Sequence, residues 1–173
     1  MTSSNNDFNV AVPQDELDAK PSFLMPAGWY GTTLGSGAQV VKNDSGWAGI
    51  RIPFSGFTAR DGKVYEKDRN YQITTASANP QAKSIGAKQL VELAVAFGLA
   101  EDTTVGGKPA KRLTANSPEE FVEQLSGVAG SPCDVYMTVK ARKRGKEVVM
   151  KDDNSGPVQD NEVSRVASFG AGK

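Results

Sequence analysis

The stretch Gly46–Ala59, GWAGIRIPFSGFTA, decides how the rest of the chain is read. Ile50, Ile52 and Phe54 recur at every second position, with Trp47 and Arg51 on the opposite side. Period two is the mark of a strand with one face buried. Upstream, Gly28–Val41, GWYGTTLGSGAQVV, has the same aromatic and β-branched make-up, and Asn43-Asp44-Ser45-Gly46 separates the two as a turn. Downstream, Asp61-Gly62 predicts a tight hairpin into a third strand, Lys63–Ala76, KVYEKDRNYQITTA.

A change of period follows. Asn79-Pro80 supplies an N-cap and a first-turn proline, Gly98 a stop, and Leu90, Leu93, Ala94 and Phe97 fall on one helical stripe. Residues 101–113, EDTTVGGKPAKRL, are expected to form a loop. Ser117-Pro118-Glu119-Glu120 then reads as a capping box for a short second helix, with Phe121, Val122 and Leu125 inward. Strands resume at Cys133, where Val135, Met137, Val139 and Ala141 alternate with Tyr136, Thr138, Lys140 and Arg142. A hairpin at Arg144-Gly145 and a last strand over residues 161–169 complete the chain. Three strands, a helical insert and two or three more strands predict a mainly β protein, an OB-like barrel of five to six strands with one long and one short helix between strands 3 and 4. Other small barrels and an open α+β sheet share that count. Residues 1–21, with Asp7, Asp15, Glu16 and Asp18 against Lys20, lack periodicity and read as a flexible acidic arm, leaving residues 22–173 as the domain.

The 173 residues include 20 basic, 20 acidic and no histidine side chains, and a single cysteine, Cys133. Without histidine, Ser-His and Cys-His nucleophilic pairs and the ordinary zinc sites are excluded. No catalytic residue, metal site or cofactor is expected, and an enzyme is not. The lone thiol, and the lack of a long apolar run or an apolar signal core, lead to the expectation of a cytoplasmic protein with no membrane contact.

Against that neutral background, Lys140, Arg142, Lys143, Arg144 and Lys146 place five cations in seven residues. Like charges along a hairpin repel, and a phosphate backbone offsets that cost by releasing counterions. Aromatic residues interleave with cations nearby: Tyr136 alternates with Lys140 and Arg142, Trp47 with Arg51, and Tyr65, Lys67, Arg69 and Tyr71 fall on one face. Rings that stack on bases beside cations that follow phosphates suit a single strand of nucleic acid. The expected interface therefore has Lys140, Arg142, Lys143, Arg144 and Lys146 on phosphates. Trp47, Tyr65, Tyr71 and Tyr136 stack on bases, with Arg51, Lys67, Arg69 and Arg165 lining the groove. Trp29, Tyr30, Phe54, Phe97 and Phe121 are expected in the core. The glycine-rich pieces lack Walker spacing and read as turns.

The segment Met25–Gly56, the helix AKQLVELAVAFGL and the closing NEVSRVASF together resemble a family of small bacteriophage proteins akin to single-stranded DNA-binding proteins. The resemblance spans roughly Leu24 to Phe169. It implies an OB-fold, a setting in phage replication or recombination, and cooperative coating of single-stranded DNA. Replication or recombination proteins would be further partners, RNA a second ligand, and a homo-oligomer is compatible with it. The chain departs from the pattern in ending SFGAGK rather than in an acidic tail, and in carrying its acidic DELD segment near the N-terminus. Two other readings stand beside it: a protein-binding module or host-factor inhibitor whose basic hairpin grips an acidic partner, and a carboxylate-metal nuclease, for which no tight Asp/Glu constellation stands out.

Overall fold

The computed structural model describes residues 11, 13, 14, 24–144, 147–151, 157 and 159–172. The expected acidic arm lies almost wholly outside the described residues, as do Lys146 and the side chain of Arg144. In chain order the elements are β1 (Gly28–Leu34), β2 (Gln39–Lys42), β3 (Ala48–Ala59), β4 (Val64–Ala76) and α1 (Pro80–Ala96). There follow β5 (Ala100–Val105), β6 (Lys108–Leu113), α2 (Pro118–Gly127), β7 (Pro132–Ala141), β8 (Lys143–Arg144), β9 (Glu147–Val148) and β10 (Gln159–Ser168).

Six strands form one antiparallel sheet in the order β10-β7-β1-β3-β2, with β4 also paired to β3. Phe54 lies opposite both Leu34 of β1 and Arg69 of β4, so β1 and β4 occupy opposite edges of β3. β1 and β2 both run antiparallel to β3, with Leu34 opposite Phe54 and Gln39 opposite Arg51, as consecutive parts of one interrupted strand. Registers shift between Gly31 and Thr33, between Ser55 and Phe57, and between Val163 and Arg165. Such bulges bend and twist a sheet. At the second, Gly56 has φ +69°, a conformation glycine adopts without strain.

The expected barrel is not closed. Among the described residues no ladder joins β4 to β10, which the pairings make parallel neighbours. A side chain spans them instead: the Tyr71 hydroxyl donates to the Ser164 carbonyl at 3.2 Å. α1 packs on both strands, and at Gly86 a Cβ would stand 2.0 Å from the Thr74 carbonyl oxygen. Only glycine permits that approach.

Local chemistry accounts for the helices. The Asn79 side chain accepts from the amides of Gln81 (2.9 Å) and Ala82 (3.4 Å). At the far end Leu99 N–H donates to Ala94 and Gly98 N–H to Val95, a Schellman closure with Gly98 at φ +72°. In α2 the Ser117 hydroxyl accepts from Glu120 N–H at 3.1 Å, while the Glu120 carboxylate reaches one residue further back than expected, to Asn116 N–H at 3.0 Å. Residues 101–113 are not a loop; they form the β5–β6 hairpin, whose turn glycines, Gly106 and Gly107, both have positive φ. Among the described residues no helix is long and apolar enough to cross a membrane.

The core gathers Phe54, Phe57, Ile50, Ile52 and Ile73 from β3 and β4, Leu93 from α1, Phe121 and Leu125 from α2, and Val135 and Met137 from β7. Met25, just before β1, is fully buried as well. Its N–H donates to Asn161 Oδ1 at 2.7 Å and its carbonyl accepts from Asn161 Nδ2 at 2.6 Å, which ties the entry of the domain to β10.

Candidate nucleic-acid interface

The outward row of β7 organises the site. Tyr136, Thr138 and Lys140 alternate with buried Val135 and Met137. Register places Trp29 of β1 and Arg165 of β10 opposite Tyr136, and Glu162 and Asp160 opposite Thr138 and Lys140. Trp29 and Tyr136 meet edge to face with centroids 5.5 Å apart, and the Arg165 guanidinium lies 5.7 Å from the Trp29 ring. Trp29, expected in the core, is instead half-buried on the outer face. Alternation carried the signal, because Tyr30 faces inward at 3% exposure and its neighbour must face out.

Further along the row lie the cations. Lys140 pairs with Glu162 at 3.2 Å, and Arg142 grips Asp160 with two bonds of 2.8 and 2.7 Å. The bond from Arg142, with Arg69 also nearby, holds the Asp160 carboxyl below the ordinary carboxylate range. Arg165 is paired too, with Glu92 of α1 at 2.9 Å. Lys143 is exposed at the start of the β8–β9 hairpin, in which Lys143 lies opposite Val148 and Arg144 opposite Glu147. Lys140, Arg142, Lys143, Asp160 and Glu162 border a basin of about 560 Å³ between the end of β7 and the start of β10. β8 and β9 pair as the expected hairpin requires, its turn lying outside the described residues, and the two cations before it, Lys140 and Arg142, carry acidic partners from β10.

The remaining expected residues fall elsewhere. Tyr65, Lys67, Arg69 and Tyr71 do share one face of β4, but it is the inner one. Tyr71 is 3% exposed and belongs to the core, where burial raises its hydroxyl pKa above the ordinary tyrosine value. It cannot stack on a base. Tyr65 is half-buried, edge-on to Tyr30 with centroids 5.9 Å apart, and Lys63 lies 5.1 Å from its ring. Lys67 and Arg69 are half-buried beside the β4–β10 seam; burial, then Arg69, lowers the pKa of Lys67. Trp47 lies over Gly49, where a Cβ would come within 2.7 Å of the indole, and its N–H donates to Thr74 Oγ1 at 3.0 Å. Arg51, half-buried, lies between Gln39 and Gln72 in register. Trp47 precedes the start of β3 and Trp29 lies near its end, on the order of 35 Å apart along a strand rising about 3.3 Å per residue. They do not form one platform.

The fold thus brings Tyr136, Lys140, Arg142, Lys143 and Arg165 together, adds Trp29, and separates Trp47 and Arg51. Among the described residues no group of three or more His, Cys, Asp or Glu side chains could hold a metal ion. No protein-family model matches the chain, and no curated protein does.

Proposed function

We propose that the protein binds single-stranded DNA with little sequence preference, on an OB-type fold, through the outer face of β1, β7 and β10 and the basic hairpin that follows β7. The OB-type reading is supported by counting β1 and β2 as one interrupted strand, which gives five principal strands in the order β10-β7-β1-β3-β4 with helices between β4 and β7. The observation that carries the reading is the continuous outer row in which Trp29, Tyr136 and Arg165 lead to Lys140, Arg142 and Lys143. Rings there present π-surface to bases, and the cations beyond follow the phosphates. The phage replication or recombination setting comes from the sequence resemblance alone.

The acids on β10 favour a second reading. A patch that alternates Lys140 with Glu162 and Arg142 with Asp160 also suits a protein partner of mixed charge. Anisotropy titration of a labelled oligothymidine, the matching duplex and an RNA oligomer separates the two. Single-stranded binding is expected, with log affinity falling against log salt by about 0.7 per phosphate contacted, and Lys143→Ala should lower the slope by about that amount. Absence of single-strand binding at low salt would overturn the proposal.

A further inference from the structure

Beyond Trp29 the same outer face opens into a second hollow, of about 540 Å³, between β1, β3 and the C-terminal turn. That volume lies within the roughly 300–1,000 Å³ range of ligand pockets. We infer that this hollow is a nucleobase subsite in which Phe169 is the stacking ring and Arg60 the flanking cation; the inference rests on the single-strand reading above.

Four observations carry it. Phe169 is 67% exposed although aromatic, and Val64 across the hollow is 59% exposed. Exposed apolar groups gathered at one concavity mark a contact surface. Two glycines leave part of the lining without side chains: a Cβ on Gly31 would lie 3.7 Å from the Phe169 ring, and one on Gly56 would meet nothing within 4 Å. Register shifts in both the β1–β3 and β3–β4 ladders fall beside these glycines, so the hollow is shaped by the backbone. Finally, the rim is polar in a way that suits a base edge. Thr33, Ser55 and Thr58 line it, and Arg60 stands 54% exposed beside the buried Asp134.

The turn that follows Phe169 is held by Asp134. Asp134, 1% exposed, accepts from Gly170 N–H at 3.0 Å and Gly172 N–H at 2.9 Å, and from Arg60 at 3.3 Å. One buried carboxylate therefore holds both the backbone turn beside the ring and the cation. Arg60 also borders a neighbouring hollow of about 300 Å³ with Trp29 and Tyr65. Ring, cation and ring succeed one another along the surface toward the basic hairpin, which is the alternation a single strand follows.

The test uses the full chain and an oligothymidine carrying one 2-aminopurine, whose emission falls when its base stacks on a ring. Phe169→Ala should weaken binding roughly 5- to 150-fold, the equivalent of ~1–3 kcal/mol of base–aromatic stacking, and Phe169→Tyr should restore it. Stacking-dependent quenching should appear with the wild type and Phe169→Tyr, at one or more probe positions where Phe169→Ala lacks it. Affinity unchanged in Phe169→Ala while Lys143→Ala weakens binding overturns the subsite and leaves the single-strand reading standing. Weaker binding with the quenching unaltered at every position makes Phe169 merely structural and also overturns it. If the wild type binds no single strand, both fall.

Discussion

Gly86 sets two effects of known size against each other. Alanine in a helix interior gains about 1 kcal/mol over glycine in intrinsic propensity. Here, however, its Cβ would stand 2.0 Å from the Thr74 carbonyl oxygen, so α1 would have to move off β4. Overpacking of this kind costs roughly 1–3 kcal/mol, and the clash is with backbone, which cannot turn aside. Gly86→Ala should therefore lower stability, measured by urea unfolding; a stabilised variant would show that the helix shifts freely. Cys133 offers a second check. Burial pushes its thiol pKa up to about 12, so at pH 8 only about one thiol in ten thousand is ionised. A thiol reagent should label it only as fast as the protein unfolds. What the sequence could tell at this scale was which residues share a face, not which face is inside. Tyr65 to Tyr71 alternate as expected, yet Ile73 and Tyr71 turn that face inward. For Trp29 and Tyr30 the same ambiguity was resolved only by packing.

Elements were legible where local chemistry is strong. The Asn79 and Ser117 caps, the Gly98 stop and the alternation of β3 and β7 each depend on neighbours a few residues away. The β5–β6 ribbon was not, because its strands bury little and Pro109 argues against a ladder, although paired Gly106-Gly107 is a hairpin turn signal. Its Glu101–Arg112 and Asp102–Lys111 pairs are exposed. Arg112→Ala should accordingly change stability by less than about 1 kcal/mol in a urea titration. The β4–β10 seam was equally hidden, since the two strands lie some ninety residues apart in sequence and no periodicity reports their distance. Tyr71→Phe removes the hydroxyl's hydrogen bond across it while keeping the ring in the core. A loss of about 0.5–1.5 kcal/mol is expected in the same titration, with single-strand affinity unchanged. A large loss of affinity instead would mean that the seam shapes the binding face.

Charge is a property of the whole molecule, and there the linear sequence was most deceptive. Five cations in seven residues suggested a bare positive patch. The fold brings Glu162 and Asp160 from β10 against Lys140 and Arg142, a pairing that crosses the hairpin excursion and has no local signature. If the ligand is a phosphate backbone, these acids compete with it for the same donors. Their removal should then tighten binding: Asp160→Asn with Glu162→Gln frees two cations, and the salt dependence should steepen by about 1.4 for two added phosphate contacts. Because both pairs are exposed, the stability cost should be small. Acidification is a poor substitute for the mutation. The pKa of Asp160 is lowered in the fold, so its stabilising charge is present above the unfolded aspartate pKa and disappears only as pH falls through the lower, folded value. Between pH 8 and pH 5 the Asp160 carboxylate should thus keep its hold on Arg142, and the gain from Asp160→Asn alone should be constant across that interval. Anisotropy titrations at two pH values and several salt concentrations measure both quantities. A double variant that binds oligothymidine no more tightly than the wild type at low salt would mean that Lys140 and Arg142 serve the fold, leaving Lys143 and the hairpin beyond it to meet the phosphates alone.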